Sequence, residues 1–307
     1  MRYQLVVSAA AVAMACSGGN DANRSEPTIG VVDVDGVQFR YVREGRGTPA
    51  VVVGSSVYYP RAYSDNLRDH FDLIFVDSRH FMPSFQPSET ELEGLTLNTW
   101  ADDVEAIRAR LGIDQWVVFG HSVHAQIALA YAQRYPQRTS RLVLIAGVPY
   151  AGEDVDEAGR RLWNEQASAA RKDQHTANTE GLDSALAAAP PGRRFVVSYM
   201  AGAARYWADP TYDSGPLWEG VQAGPALGRF FGLIPSRAEV RRALEAIDMP
   251  TLVILGKRDY AIPYTVWEPL IADLPNVTYI LLEEDSHNPQ TEAPQRFDPV
   301  LLDWLAK

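Results

Sequence analysis

The chain has 307 residues, of which 46% are hydrophobic and 22% charged, a composition typical of a folded globular protein rather than a disordered one. The net charge of −11 and the lack of a basic cluster argue against a nucleic-acid partner. With one cysteine in the chain, an intramolecular disulfide is excluded. This length suits one large domain or a core with an insertion.

The N-terminal residues predict an export signal rather than part of the fold. Arg2 precedes the apolar run 5–15, which is too short to span a membrane and is typical of a secretory signal peptide over residues 1–15. Small residues then precede Cys16, and residues 16–27 form a polar, flexible linker. This pattern resembles the bacterial lipoprotein processing site, although that site usually has leucine where Ala13 stands. The resemblance implies a lipid anchor on Cys16 and a location in the bacterial cell envelope; the alternative is an ordinary cleaved signal.

Alternating segments predict an antiparallel hairpin at the start of the domain, with strands over 28–34 and 37–42 joined by Asp35-Gly36. Strands and helices then alternate, as expected of a parallel sheet with helices on both faces. A helix is predicted over 100–111, capped by Asn98 or Thr99. Further strands are predicted at 50–53, 73–76, 117–119, 141–146, 251–255 and 277–282, and further helices at 264–272, kinked or shortened by Pro269, and at 297–305.

Residues 149–248 lack buried strand patterns and predict a helical cap. They interrupt an α/β core that consists of residues 28–148 and 249–307. The aromatic side chains of this insertion either build a small core of their own or line an apolar pocket over a site. They are Trp163, Phe195, Tyr199, Tyr206, Trp207, Tyr212, Trp218, Phe230 and Phe231.

A candidate nucleophile stands in Gly120-His121-Ser122, directly after the apolar strand 117–119 and directly before an alanine-rich helix. A serine on such a sharp strand-to-helix turn exposes its hydroxyl at the positive end of a helix dipole. A second Gly-x-Ser occurs at Gly54-Ser55-Ser56, but a loop follows it instead of a helix. Ser122 is therefore the predicted nucleophile.

A serine nucleophile needs a base, and the base needs a partner that fixes its tautomer. His287 follows the last predicted strand and opens on the same sheet edge as Ser122, which makes it the predicted base. His80 is a further histidine that could reach the site, whereas His124, two positions along a helix, points about 200° away from Ser122.

The carboxylate should follow another strand on that edge. Asp259 comes just after the strand 251–255, and Asp77 after the strand 73–76 is its main rival, more consistent with loop structure. The chain order Ser122, Asp259, His287 is the order of the α/β-hydrolase triad.

Three segments together resemble the α/β-hydrolase family, particularly its prolyl-aminopeptidase and small-ester-hydrolase branch. They are Gly120-His121-Ser122-Val123-His124, the segment 256–263 around Asp259, and the segment 286–297 around His287. The resemblance spans about residues 28–307 and implies an α/β-hydrolase fold with Ser122 as nucleophile, Asp259 as acid and His287 as base. The oxyanion donors are then expected to be the backbone amides of Ser55 and Val123.

Three positions depart from the family pattern. His124 stands where the family has glycine, which implies repacking beside the turn. The oxyanion loop reads Val53-Gly54-Ser55-Ser56 instead of beginning His-Gly, and Asp77-Ser78-Arg79-His80 replaces the usual Asp-x-Arg-Gly.

The predicted function is a serine hydrolase that cleaves a small ester or lactone by acyl transfer, without metal or other cofactor. One alternative is a prolyl-type aminopeptidase acting on short peptides. It would need a cap carboxylate to hold the substrate amine, with candidates at Glu153, Asp154, Glu165, Asp173, Glu219 and Glu239. The other alternative is a non-catalytic ligand-binding protein on the same fold. The oligomeric state stays open.

Overall fold

A computed structural model describes residues 26–307, and its centre is one eight-stranded sheet of order β1-β2-β4-β3-β5-β6-β7-β8. The predicted signal peptide, Cys16 and most of the linker lie outside the described residues. The strands are β1 (Thr28–Val34), β2 (Val37–Gly45), β3 (Thr48–Gly54), β4 (Phe71–Asp77), β5 (Trp116–His121), β6 (Thr139–Ile145), β7 (Thr251–Gly256) and β8 (Val277–Leu282).

The sheet is antiparallel at one end and parallel elsewhere. β2 pairs antiparallel with both β1 and β4, and every other neighbouring pair is parallel. Asp35 and Gly36 turn the first hairpin with φ angles of 52° and 84°, the left-handed region that a two-residue hairpin requires. The predicted α/β class, mostly parallel with an N-terminal antiparallel hairpin, is confirmed.

Within residues 26–307, sixteen α-helices surround and cover the sheet. They are α1 (Tyr59–Ala62), α2 (Asp65–Arg68), α3 (Glu89–Gly94), α4 (Leu97–Arg110), α5 (Ala125–Arg134), α6 (Glu153–Gln166), α7 (Ala169–Thr179), α8 (Leu182–Ala188), α9 (Arg194–Ala201), α10 (Ala203–Tyr206), α11 (Gly215–Trp218), α12 (Ala226–Phe231), α13 (Arg237–Glu245), α14 (Glu268–Ile271), α15 (Pro289–Glu292) and α16 (Pro294–Leu305). Among these described helices, none is long and apolar enough to cross a lipid bilayer.

One predicted helix cap is wrong, and one predicted helix is interrupted near the proline that was expected to kink or shorten it. The α4 cap is Thr96, in a reciprocal capping box with Thr99, so the expectation of Asn98 or Thr99 was wrong by a few residues. The helix predicted over 264–272 is divided into a 3-10 turn at Tyr264–Val266 and the short α14, because Pro269 cannot continue the first turn's hydrogen bonding.

Alternate side chains along the strands pack into two apolar layers, one on each face of the sheet. On β3, Val51 and Val53 pack with α4 and α5, whereas Ala50 and Val52 face the layer that contains α16. The central strands are therefore buried on both faces, which explains their continuous apolar sequence.

The chain between β6 and β7 is helical, from α6 to α13. α13 packs against α5 and α14 on the sheet, whereas α9, α11 and α12 place side chains over the carboxyl edge of the strands. Side chains from this helical segment therefore meet the strand-end loops at one place.

Candidate active site

Ser122 occupies a strained turn between β5 and α5. Its φ is 56°, in the left-handed region that costs a non-glycine residue about 1–3 kcal/mol. A Cβ on Gly120 would lie 2.7 Å from both Ala125 Cα and Ala128 Cβ, so only glycine lets the helix return this close to the strand. The turn thus pushes the Ser122 hydroxyl out at the carboxyl edge of the sheet.

His287 lies between Ser122 and Asp259. Its Nε2 is 2.9 Å from the Ser122 hydroxyl oxygen and its Nδ1 is 2.7 Å from an Asp259 carboxylate oxygen. The other Asp259 oxygen accepts the backbone N–H groups of Ala261 at 2.9 Å and Ile262 at 2.8 Å. Since an ionised carboxylate only accepts hydrogen bonds, Asp259 holds the His287 proton on Nδ1 and leaves the Nε2 lone pair facing Ser122.

Close backbone packing brings the Asp259 and His287 loops together. A Cβ on Gly256, at the end of β7, would lie 2.1 Å from the backbone oxygen of Ser286. Arg296 forms a two-pronged ion pair with the carboxylate of Asp285. The glycine and the ion pair together hold the His287 loop beside the end of β7.

Asp77, the rival carboxylate, has another partner. It accepts the backbone N–H of Ser56 at 2.6 Å, and its burial raises its pKa above the ordinary value. It therefore ties the end of β4 to the loop after β3, which agrees with the loop role that its sequence position favours.

The proposed oxyanion residues lie beside Ser122. Ser55 and Val123 both line the same cavity as Ser122 and His287. The Ser55 hydroxyl oxygen accepts the backbone N–H groups of Val57 and Tyr58, each at 3.2 Å, which orders the loop after β3. Donation from the Ser55 and Val123 amides to an oxyanion stays a prediction.

A narrow cavity of about 40 Å³ opens on Ser122, with room for only a few water molecules. Its walls are mostly apolar and come from both the strand-end loops and the helical segment. The lining residues from that segment are Phe195, Tyr199, Trp218, Leu227 and Phe231. The four aromatic residues among them therefore line the pocket, which is one of the two roles predicted for the aromatics of this insertion. Small, apolar groups fit such a space.

Within residues 26–307, the residues that line this cavity include none of the six carboxylates predicted as candidates for binding a substrate amine. Glu292 is a half-buried acid beside the His287 loop, and its carboxylate accepts the backbone N–H groups of Ala208 at 2.6 Å and Asn288 at 2.9 Å. Burial raises the pKa of Glu292 to about 7. Glu292 thus joins the helical segment to the His287 loop.

Sequence reasoning missed the contact between His80 and His124, whose Nε2 atoms are 2.9 Å apart in the interior. Burial lowers the pKa of both, that of His124 to about 4. No group of three or more metal-ligating side chains suited to an ion occurs within residues 26–307, despite these histidines. One signal was available, since both histidines occupy positions where the family pattern has glycine.

The sequence model of the alpha/beta hydrolase fold matches residues 47–294, most of the chain. This protein therefore belongs to the α/β-hydrolase family and is a hydrolase, as its sequence motifs predicted. The family assignment agrees with the sheet order and with the turn at Ser122.

Relatives cover nearly the whole chain. The AB hydrolase superfamily protein YclE of Bacillus subtilis (strain 168) is 30% identical over 278 residues, which are 90% of this chain and 98% of that protein. The proline iminopeptidase of Heyndrickxia coagulans is 24% identical over 289 residues, 91% of this chain and 98% of that protein. The solved structure of a thermophilic esterase from Thermogutta terrifontis shares the fold, with a TM-score of 0.61, 21% identity and coverage of 92% of this chain and 98% of that one.

Proposed function

We propose that this hydrolase is a serine esterase or lactonase that works by acyl transfer through Ser122, His287 and Asp259. The observation that carries the proposal is the continuous hydrogen-bonded row from the Ser122 hydroxyl through both ring nitrogens of His287 to the carboxylate of Asp259, with lengths of 2.9 and 2.7 Å. This row places a base on the nucleophile and an orienting anion on the base.

In the first half of the reaction, Ser122 Oγ bonds to the ester carbonyl carbon as its proton moves to His287 Nε2. The negative charge then forming on the carbonyl oxygen is held by the backbone amides of Ser55 and Val123. The carbon–oxygen bond to the alcohol breaks as His287 returns the proton to the departing oxygen, which leaves an acyl group on Ser122.

In the second half, His287 Nε2 takes a proton from a water molecule as the water oxygen bonds to the acyl carbon. The bond to Ser122 Oγ breaks, the serine recovers its proton, and the acid leaves. Asp259 stays ionised throughout and stabilises the imidazolium formed in each half.

The cavity supports a small, uncharged acyl group. Its walls are aromatic and aliphatic, and its volume is about 40 Å³. Among the described residues that line it, no carboxylate stands ready for a free amine. These features favour an ester or lactone over the aminopeptidase reading, which the similarity to a proline iminopeptidase keeps as the second candidate.

The test is a substrate panel on one purified preparation: 4-nitrophenyl acetate, butyrate and decanoate, a γ-lactone, and proline 4-nitroanilide. We expect turnover of the short esters or the lactone, and none with the Ser122→Ala variant. Preferential turnover of the proline anilide would favour the aminopeptidase. No turnover by the wild type would favour the non-catalytic reading.

We also propose that Cys16 carries a lipid anchor, on the support of the sequence pattern before it. Mass spectrometry of the mature N-terminus after expression in a bacterial host tests this directly. A diacylated or triacylated Cys16 is expected, and a mature chain that begins after Cys16 without lipid would overturn the proposal.

A further inference from the structure

His80 and His124, which both replace a glycine of the family pattern, contact each other inside the protein. His80 follows β4 and His124 follows Ser122, and their Nε2 atoms are 2.9 Å apart although 44 residues separate them. Both side chains are buried, with 0% and 5% of their surface exposed. At this distance one nitrogen must carry the proton and the other must accept it, because two lone pairs or two N–H groups would repel.

One end of this contact decides which histidine donates. The indole Nε1 of Trp100 lies 3.1 Å from His80 Nδ1, and an indole N–H can only donate. His80 Nδ1 therefore accepts, so a neutral His80 carries its proton on Nε2 and donates to His124. Because His124 Nε2 accepts, its own proton sits on Nδ1.

The row continues through Tyr59 toward the active site. The Tyr59 hydroxyl is 2.9 Å from His124 Nδ1 and 3.2 Å from His121 Nδ1. It accepts from His124 and donates to His121, which leaves the His121 proton on Nε2. That nitrogen lies 2.8 Å from the backbone carbonyl oxygen of His287.

The contact between His121 and the His287 carbonyl oxygen independently requires the same direction of hydrogen-bond donation. A carbonyl oxygen only accepts hydrogen bonds, so His121 must donate from Nε2 and accept at Nδ1. Working back from His287 or forward from Trp100 gives the same tautomer at every histidine. No other arrangement of protons on the neutral rings satisfies all five contacts.

We propose that Trp100, His80, His124, Tyr59 and His121 form a one-directional hydrogen-bond chain that positions His287 through its backbone carbonyl. The chain explains why two histidines replace two glycines of the family pattern: each supplies a link that the other requires. The role of this hydrogen-bond chain in positioning a catalytic base rests on the proposed function. Its arrangement of protons does not depend on that function.

Packing holds the links in register. The ring of Phe230 from α12 stacks on His80 with centroids 4.1 Å apart, and a Cβ on Gly54 would lie 2.6 Å from the Tyr59 ring and 2.9 Å from His124. Burial lowers the pKa of all three histidines, which keeps them neutral as the chain requires. Chains of hydrogen bonds in such a dry interior reinforce one another.

The first test reads the protons directly in the resting protein. Nitrogen-15 NMR of histidine-labelled protein near pH 7.5 distinguishes the two tautomers of each ring. We expect Nε2–H at His80, Nδ1–H at His124 and Nε2–H at His121. Any other tautomer at one of these rings, or rapid exchange between tautomers, would refute the proposed hydrogen-bond chain.

The second test breaks one link. Tyr59→Phe keeps the ring but removes the hydroxyl that joins His124 to His121. The matched control is Tyr63→Phe, because the neighbouring Tyr63 hydroxyl is also buried but has no hydrogen-bond partner within residues 26–307. We expect Tyr59→Phe to lower kcat about 10-fold with KM changed less than twofold, and to shift the low-field Nδ1 proton resonance of His287. Tyr63→Phe should leave both unchanged.

The two readouts separate the possible failures. If the wild type hydrolyses nothing, the proposed function fails while the tautomers and the His287 resonance still test the chain. If kcat and the His287 resonance in Tyr59→Phe match those of the wild type and of Tyr63→Phe, the positioning role is refuted.

Discussion

The Nδ1 atom of His287 and a carboxylate oxygen of Asp259 lie 2.7 Å apart, and each side chain has no more than 2% of its surface exposed. The second Asp259 oxygen is occupied by the backbone amides of Ala261 and Ile262. Asp259 therefore has one orientation available, and that orientation sets the tautomer of His287.

Asp259→Asn should lower kcat about 10³- to 10⁴-fold on a short acyl ester while the protein stays folded. The asparagine amide can face His287 with N–H groups, which favours the wrong tautomer of the base. Steady-state kinetics with a thermal melt measure both effects. The matched control is Asp77→Asn, at the rival carboxylate, for which we expect a loss below about 10-fold. Equal losses in the two variants would contradict the assignment of Asp259.

Gly120→Ala should destabilise the protein by about 1–3 kcal/mol, because the added methyl group overlaps backbone and side-chain atoms of α5 at 2.7 Å. The control is Gly94→Ala at the end of α3, where a Cβ meets no atom of the described part of the chain within 4 Å. That change should be neutral or stabilise the protein by up to about 1 kcal/mol. Urea unfolding measures both, and similar values for the two variants would show that the turn does not need glycine.

His124 should make the free energy of unfolding depend on pH. Burial keeps the folded-state pKa of His124 at about 4, below the ordinary histidine value of 6.5. As pH falls from about 6.5 to about 4, the unfolded chain takes up a proton that the folded protein refuses, so stability is lost. The contribution approaches about 1.4 kcal/mol per pH unit, so that about 3 kcal/mol is lost over the window.

His124→Gln removes this contribution, so its stability should fall less steeply with acid than that of the wild type. Above about pH 7 the difference between the two proteins should stay constant, which provides an internal control. Urea unfolding at several pH values between 4.5 and 8 makes the comparison. Parallel curves across the whole range would mean that His124 titrates alike in both states.

Phe231→Ala should widen the cavity at little cost in stability, because this residue lines the cavity yet has 40% of its surface exposed. We expect the ratio of kcat/KM for an octanoyl ester to that for an acetyl ester to rise about 10-fold. Tyr212→Ala serves as the control, since Tyr212 is a comparably exposed aromatic, at 36%, that does not line this cavity. An unchanged ratio in Phe231→Ala would place the acyl group elsewhere.

The parts of the fold that the sequence predicted are those with local causes. Buried parallel strands carry continuous apolar runs, and Asp35-Gly36 carries the backbone angles of a hairpin turn. Ser122, Asp259 and His287 each follow a strand, so the parallel sheet alone predicts that their loops share an edge. The close approach of their side chains follows from this topology.

The hydrogen-bond chain behind the site could not be predicted in the same way. Its members come from α1, α4 and the ends of β4 and β5, and only tertiary packing brings them together. On a helical wheel His124 is predicted to point away from Ser122, but this geometry does not show that it points toward His80. The sequence could not predict which aromatic side chains line the cavity either. The spacing of aromatic residues does not show which face of a short helix meets the strand ends.

Covalent labelling with a serine-directed reagent identifies the nucleophile and so tests the assignment of Ser122. The wild-type protein and the Ser122→Ala variant are treated with a fluorophosphonate, and intact-mass and peptide mass spectrometry locate the adduct. We predict one adduct per wild-type chain, on Ser122, and none on the variant, with unchanged thermal melts. An adduct on another residue, or equal labelling of both proteins, would contradict the assignment.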